Sequence, residues 1–152
     1  MTKTEAGFRR ATTDDADAVS SVIDAVMKDP QPVGFERAYS AEEVRTWLSR
    51  LGDAGAVFLC LIDGKVAGFS ALDFNTQEPD TATLGVWLLA ERRGKGLGTE
   101  LARLALDFAR DRGYRRIRGR LPAGNEIALS FLSSIGALVP IYNPNMRFEL
   151  PL

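Results

Sequence analysis

The fold turns on one stretch: Ala82-Thr83-Leu84-Gly85-Val86-Trp87-Leu88-Leu89, then Ala90-Glu91-Arg92-Arg93-Gly94-Lys95-Gly96-Leu97-Gly98-Thr99, then an apolar-periodic segment to Arg112. The first part has the apolar density of a buried strand. After the glycines, Leu97, Leu101, Leu104, Ala105 and Phe108 fall at helical spacing. The reading is strand, glycine-rich basic turn, helix. Gly94, Gly96 and Gly98 therefore stand where a helix begins. There the first amide groups have no partner within the helix, and the helix dipole adds partial positive charge. Such a turn is suited to phosphate; a glycine-rich helix start that holds nothing is the alternative.

Two common phosphate motifs do not fit. Counted from Gly94, a G-x-G-x-x-G fingerprint needs a third glycine where Thr99 stands, and no G-x-x-x-x-G-K-S/T loop is present. What fits is Arg93-Gly94-Lys95-Gly96-Leu97-Gly98, an R/Q-x-x-G-x-G/A turn after a strand. It resembles the acetyl-CoA pyrophosphate loop of the GNAT superfamily of N-acetyltransferases.

The rest of the chain is consistent with a small soluble domain. Its 152 residues suggest one domain, and 45% hydrophobic against 26% charged content is ordinary for a globular protein. The net charge of −1 makes no general case for nucleic acid or membrane binding. Charge is uneven, however. Residues 91–120 carry ten Lys/Arg and four Asp/Glu, while the remainder carries nine and sixteen. A basic segment around the glycine turn suits a polyanionic cofactor. Histidine is absent, which excludes Ser-His-Asp and Cys-His catalysis and histidine-ligated metals. The single cysteine, Cys60, excludes an intramolecular disulfide and reads as a core residue. No metal site is expected. With no signal-peptide pattern and no run of 18 apolar residues, the expected location is cytoplasmic.

In chain order, Gly7–Ala11 reads as a strand and Thr12–Asp15 as a helix start, with Val19, Val22, Ile23 and Val26 as the buried stripe. Lys28–Tyr39, holding Pro30 and Pro32, reads as a loop. Ser40-Ala41-Glu42-Glu43 is a capping box, followed by Val44, Trp47, Leu48 and Leu51 at helical spacing. Ala56–Ile62 and Lys65–Asp73 form a hairpin through Asp63-Gly64. Residues 75–80 form a loop, and a fourth strand runs from Thr81 to Leu89. Tyr114–Leu121 is a fifth strand, alternating Ile117 and Gly119 with Arg116 and Arg118. Asn125 starts a short helix with Ala128, Phe131, Leu132 and Ile135 on one face. Ala137–Tyr142 and Met146–Leu150 are two last strands.

This order, β-α-α-β-β-β-α-β-α-β-β, also resembles the GNAT fold over essentially the whole chain. Asn125, Ala128, Phe131 and Gly136 follow a second GNAT segment. The resemblance implies an α/β fold with a mixed, mostly antiparallel sheet of six or seven strands and about four helices, strands four and five splayed apart. It implies acetyl-CoA as co-substrate, its pantetheine arm in that gap. Val86, Trp87, Leu88, Leu89 and Ala90 would then offer backbone groups to the pantetheine and acetyl carbonyl. Arg93, Gly94, Lys95, Gly96, Leu97, Gly98 and Thr99 would hold the pyrophosphate. Asn125 would hydrogen-bond pantetheine or a water, or simply cap its helix. Gly85 fits either a bulge that bends the strand or tight packing against a neighbour.

The implied reaction is direct attack of a neutral primary amine on the thioester. The amine must lose a proton, the oxyanion must meet a donor, and the thiolate must be protonated or otherwise stabilised. Here the chain departs from the family: the usual tyrosine acid falls on Leu132, and the usual glutamate base falls near Thr83. Tyr142 is the displaced acid candidate, and Asp73 and Glu78 are candidate proton acceptors through water, with Asp80 beside them. Glu36 and Tyr39 are the polar candidates on the acceptor side. The acceptor is expected to be a small amine rather than a protein, and a homodimer is compatible by fold analogy. The missing tyrosine and glutamate leave a second reading, a non-catalytic acyl-CoA-binding module.

Overall fold

A computed structural model describes residues 6–28, 37–92, 95–120 and 147–151. Among these residues the chain forms β1 (Ala6–Arg10), α1 (Ala16–Met27), α2 (Ala41–Leu51), β2 (Ala56–Ile62), β3 (Lys65–Phe74), β4 (Thr81–Leu88), α3 (Leu97–Asp111), β5 (Arg116–Arg120) and β6 (Arg147–Pro151). The six strands make one sheet in the order β1-β2-β3-β4-β5-β6. Every neighbouring pair is antiparallel except β4–β5, which is parallel. This is the mixed, mostly antiparallel α/β sheet expected. The expected helix from Asn125 and strand Ala137–Tyr142 lie outside the described residues.

Capping boxes mark the 3₁₀ turn before α1 and the start of α2. Thr12 caps a single 3₁₀ turn, Thr13–Asp15, that leads into α1. Arg9 grips Asp15 with two hydrogen bonds of 2.8 and 2.7 Å, so β1 and the helix start are tied together. At α2 the Glu43 amide donates to Ser40 Oγ at 3.2 Å, and the Ser40 amide donates to Glu43 Oε1 at 3.1 Å. That reciprocal pairing satisfies two amides that the helix itself cannot.

Strand alternation distributes the core over both faces of the sheet. Val57, Leu59, Phe69 and Ala71 pack against α1 and α2, with Val19, Ile23, Val26 and Val44. Leu72, Ala82, Leu84 and Ile117 pack against Ala102, Ala105, Leu106 and Ala109 of α3. Because both faces are covered, β2 reads as a continuous apolar run rather than an alternating one. Ser70, fully buried, donates to the Leu101 carbonyl at 2.9 Å and pins α3 to the middle of β3.

The hairpin between β2 and β3 turns at Asp63 and Gly64, both with positive φ (52° and 77°), as a two-residue turn matched to strand twist requires. Further along, the β2–β3 register shifts between Cys60 and Leu61, leaving Ala67 as an extra residue on β3. The β3–β4 register, in contrast, is unbroken from Gly68↔Leu88 to Phe74↔Ala82. Gly85 is therefore not a bulge against β3. Of the two roles open for it, the structure shows packing: a Cβ there would run into the indole ring of Trp87.

Candidate active site

Two strands part where the glycine turn follows. Parallel pairing of β4 with β5 covers Thr81↔Arg116, Ala82↔Ile117 and Thr83↔Arg118, and goes no further. Yet β4 continues to Leu88, paired on its other side with β3. The Leu89 amide donates to the Ala67 carbonyl at 2.9 Å. In an antiparallel ladder, alternate residues turn their backbone groups to opposite edges. Gly85, Trp87 and Leu89 thus face β3, whereas Val86 and Leu88 turn theirs toward the β5 side. The Leu89 carbonyl is taken as well, by the Arg92 amide at 2.9 Å, in a 3₁₀ turn over Ala90–Arg92.

Gly96 then sets the start of α3. It holds φ +80°, a left-handed conformation, and no side chain among the described residues caps the helix. Leu97 is the anchor, packed on the cluster of Cys60, Ile62, Ala67 and Leu101. Lys95, Gly96 and Thr99 are exposed, and Gly98 is half-buried. The helix therefore presents an uncapped N-terminus close in sequence to the end of β4, with Lys95 beside it. Arg93 and Gly94 lie outside the described residues.

On the opposite face, α1, α2 and the end of β3 enclose a cleft of about 640 Å³. Ile23 and Val44 line its base, both almost fully buried. Tyr39 and Trp47 are its aromatic members, and Glu42, Glu43, Arg50 and Asp73 its charged ones. Asp73 follows Phe69 and Ala71 on the face of β3 that α1 and α2 cover. Trp47 and Arg50 sit three residues apart on α2, hence side by side. Trp47 Nε1 donates to Asp73 Oδ2 at 3.0 Å, and Arg50 donates to the same oxygen at 2.8 Å. Asp73 Oδ1 is buried and has no hydrogen-bond partner among the described residues. Across the ladder, Asp73 lies opposite Thr83, the position near which the family's glutamate is expected.

The chain leading into α2 forms the rim. Ser20 donates to the Tyr39 carbonyl at 2.6 Å, holding it to α1. Arg37 lies over the Tyr39 ring, 4.3 Å from its centroid, and pairs with Glu43. Hydrogen bonds from Arg37 and from the Ser40 amide hold the Glu43 carboxyl down at about 2, from an ordinary 4.5.

The model of the acetyltransferase (GNAT) family matches residues 19–137. The chain belongs to the GNAT family. An uncharacterized N-acetyltransferase of Methanocaldococcus jannaschii is 26% identical over 134 residues, covering 85% of this chain and 59% of that protein. The chain thus spans less than two thirds of this relative's length. Solved GNAT structures share the fold at lower identity. An acetyltransferase from Streptococcus pneumoniae superposes with TM-score 0.83 at 17% identity, covering 97% of this chain and all of that one. A ribosomal-protein-alanine N-acetyltransferase from Brucella melitensis gives 0.82 at 20%, covering 96% and 99%. A phosphinothricin acetyltransferase from Sinorhizobium meliloti, in complex with acetyl-CoA, gives 0.83 at 17%, covering 97% and 88%.

Seen as a GNAT domain, the sequence candidates among the described residues fall in four places. Leu88, Lys95, Gly96, Leu97, Gly98 and Thr99 follow the parting strands and the helix start. Trp87 belongs to the other face, stacked 5.0 Å from Phe69. Asp73 and Tyr39 both line the cleft. Glu78 does not join them: it is paired with Arg118, both groups substantially exposed. Glu36, Asn125 and Tyr142 lie outside the described residues. Cys60 is buried in the core, and burial raises its thiol, so it has the character of packing rather than of a nucleophile. Among the described residues no group of three or more His, Cys, Asp or Glu could hold a metal, and no helix is long and apolar enough to cross a membrane. Sequence reasoning missed Trp47, Arg50 and Glu42. The signal was the spacing of Trp47 and Arg50, an apolar residue and a charge three apart on a helix facing a strand-end carboxylate.

Proposed function

We propose that this GNAT domain is an acetyl-CoA-dependent N-acetyltransferase, acting on a primary amine of a small molecule by direct attack in a ternary complex. One observation carries the reading: β4 runs past the end of its pairing with β5, and the next helix starts uncapped at a left-handed glycine. An edge of β4 and an uncapped helix N-terminus suit an amide-bearing arm joined to a pyrophosphate. Bound there, acetyl-CoA supplies the thioester acyl group. The amides at the start of α3, with Lys95, would hold the pyrophosphate, and Arg93 and Gly94 are assigned to the same loop. Val86 and Leu88 are the β4 residues whose backbone groups turn to the gap, so they would pair with the pantetheine. Leu89 and Ala90 would shape the wall, whereas Trp87, stacked on Phe69 on the other face, would not.

The acceptor is assigned to the opposite face, over Asp73 and Tyr39, and Glu36 is retained from the sequence as an acceptor-side candidate. Leu132 cannot donate a proton, so Tyr142 is retained as the candidate acid and Asn125 as a pantetheine contact. Of the carboxylates, Asp73 is assigned to the acceptor side because it lines the cleft. Alignment of two bound reactants provides a large share of the rate in such transfers, which makes a weak acid–base pair tolerable.

Calorimetric titration with acetyl-CoA tests the reading. Saturable binding near one site per chain is expected, followed by release of free thiol only when an amine is added. Binding without turnover on a broad amine panel would make the chain an acyl-CoA-binding module. No binding at high micromolar acetyl-CoA would remove the proposed function.

A further inference from the structure

We infer that the cleft between α2 and the end of β3 selects a cationic primary amine carried on an apolar, ring-sized body, with Asp73 taking the ammonium. This rests on the acetyltransfer reading and names the class of acceptor. The first observation is the incomplete pairing of Asp73. Trp47 and Arg50 both bond to Oδ2, while Oδ1 is buried with no partner among the described residues. A buried oxygen without a donor is costly. The carboxylate lines the cleft and its side chain keeps 29% exposure. The Cβ–Cγ torsion is soft, so a partial rotation brings the unpartnered oxygen toward the cleft while the other keeps a donor, and an arriving ammonium finds acceptor capacity that the described residues leave unused.

The second observation is charge. Among the described residues, three carboxylates, Glu42, Glu43 and Asp73, line the cleft against one guanidinium, that of Arg50. Glu43 is neutralised by Arg37 and Asp73 is paired with Arg50, but Glu42 has no ion pair among the described residues. The excess is negative, which favours a cation and disfavours a carboxylate. The third is the wall. Ile23, Val44, Tyr39 and Trp47 are apolar or aromatic, and Tyr39 already stacks one cation, Arg37, on its ring. A ring or branched alkyl group fits this lining, and its ammonium gains from the aromatic faces as well as from Asp73.

The test uses 2-phenylethylamine, its neutral counterpart 2-phenylethanol, and phenylalanine, titrated calorimetrically into the intact protein. The amine is expected to bind saturably, the alcohol and phenylalanine at least about tenfold more weakly. Asp73→Asn keeps an acceptor for Trp47 and is expected to weaken amine binding about tenfold or more. In turnover it should raise KM for the amine and leave KM for acetyl-CoA unchanged. Thr46→Arg, at an exposed helix position lining the cleft, is a second variant that does not touch the core. It should abolish amine binding and spare acetyl-CoA binding. Equal binding of the alcohol, preference for phenylalanine, or an unchanged amine KM in both variants would overturn the inference, even with acetyltransfer intact. Amine binding lost in the variants, with no thiol release from any amine, would keep the cleft as an amine site and remove acetyltransfer instead.

Discussion

The indole of Trp87 lies across the space where a side chain on Gly85 would stand. Residues two apart on a strand share a face, so Trp87 folds back over its own strand and stacks on Phe69 of β3 at 5.0 Å. Gly85→Ala puts a methyl group inside that ring. The indole is rigid and must move as a whole, so the substitution is expected to cost about 1–3 kcal/mol, as overpacking does. Urea denaturation measures it. In the Trp87→Ala background the same change should cost clearly less, because the two effects share one contact.

Gly96 presents the opposite case. Among the described residues nothing lies within 4 Å of a Cβ built there, yet φ is +80°. Gly96→Ala therefore meets no neighbour and pays only backbone strain, about 1–2 kcal/mol. Relief of that strain would bring φ to negative values and re-aim the amides at the start of α3. Acetyl-CoA affinity is expected to fall by about tenfold, with a modest loss in thermal stability. Calorimetry and thermal unfolding together separate the two: a stability loss with unchanged affinity would detach the α3 start from the pyrophosphate.

Much of this architecture is legible in residues that act locally. Ser40 and Glu43 announce α2, Asp63-Gly64 announces a hairpin, and the spacing from Leu97 to Phe108 announces α3. Each signal is complete within a few residues. What escapes such reading depends on two segments at once. The extra residue at Ala67 exists only relative to β2. The choice of Val86 and Leu88 over Trp87 and Leu89 as gap-facing backbone follows from the ladder with β3. Asp73 is visible as a carboxylate near a strand end, but its partners Trp47 and Arg50 lie on α2, 26 and 23 residues away. The 3₁₀ turn at Ala90–Arg92 is too short to carry a period. The role of Gly85 stays open in sequence because a bulge and a close packing both call for glycine.

Glu43 gives the pH dependence. Its carboxyl is held at about 2 in the folded chain, from an ordinary 4.5, first by Arg37 and then by the Ser40 amide. A depressed carboxylate contributes stability that is fully present above the unfolded value and disappears as pH falls through the folded one. The contribution of this capping box is thus complete above about pH 4.5 and lost by about pH 2. Both groups are exposed, so its size is small and salt-sensitive. Glu43→Gln should flatten the acid limb of the stability profile in that window, while leaving the profile above pH 6 parallel to wild type. Acid titration followed by helical circular dichroism at low salt reads it. An unchanged acid limb would mean that other carboxylates, such as Asp15 beside Arg9, carry the acid response.

Glu78 and Asp73 are separated by what holds them. Glu78 is paired with Arg118, the last β5 residue in register with β4, and its carbonyl accepts from the Thr81 amide that opens β4. It therefore ties the loop before β4 to the point where β4 and β5 part. A proton acceptor in the transfer step would, when replaced, cost about 10²–10⁴ in rate. A tie of this kind, with the side chains 45% and 40% exposed, is worth under about 1 kcal/mol. Glu78→Gln is accordingly expected to keep kcat within about threefold, a change of under 1 kcal/mol in the barrier. Because the tie borders the proposed pantetheine gap, its loss should show in KM for acetyl-CoA before it shows in kcat. Steady-state kinetics with each substrate varied in turn make the distinction. A hundredfold fall in kcat with both KM values unchanged would instead place Glu78 on the path of the amine proton, and Asp73 would then be left with binding alone.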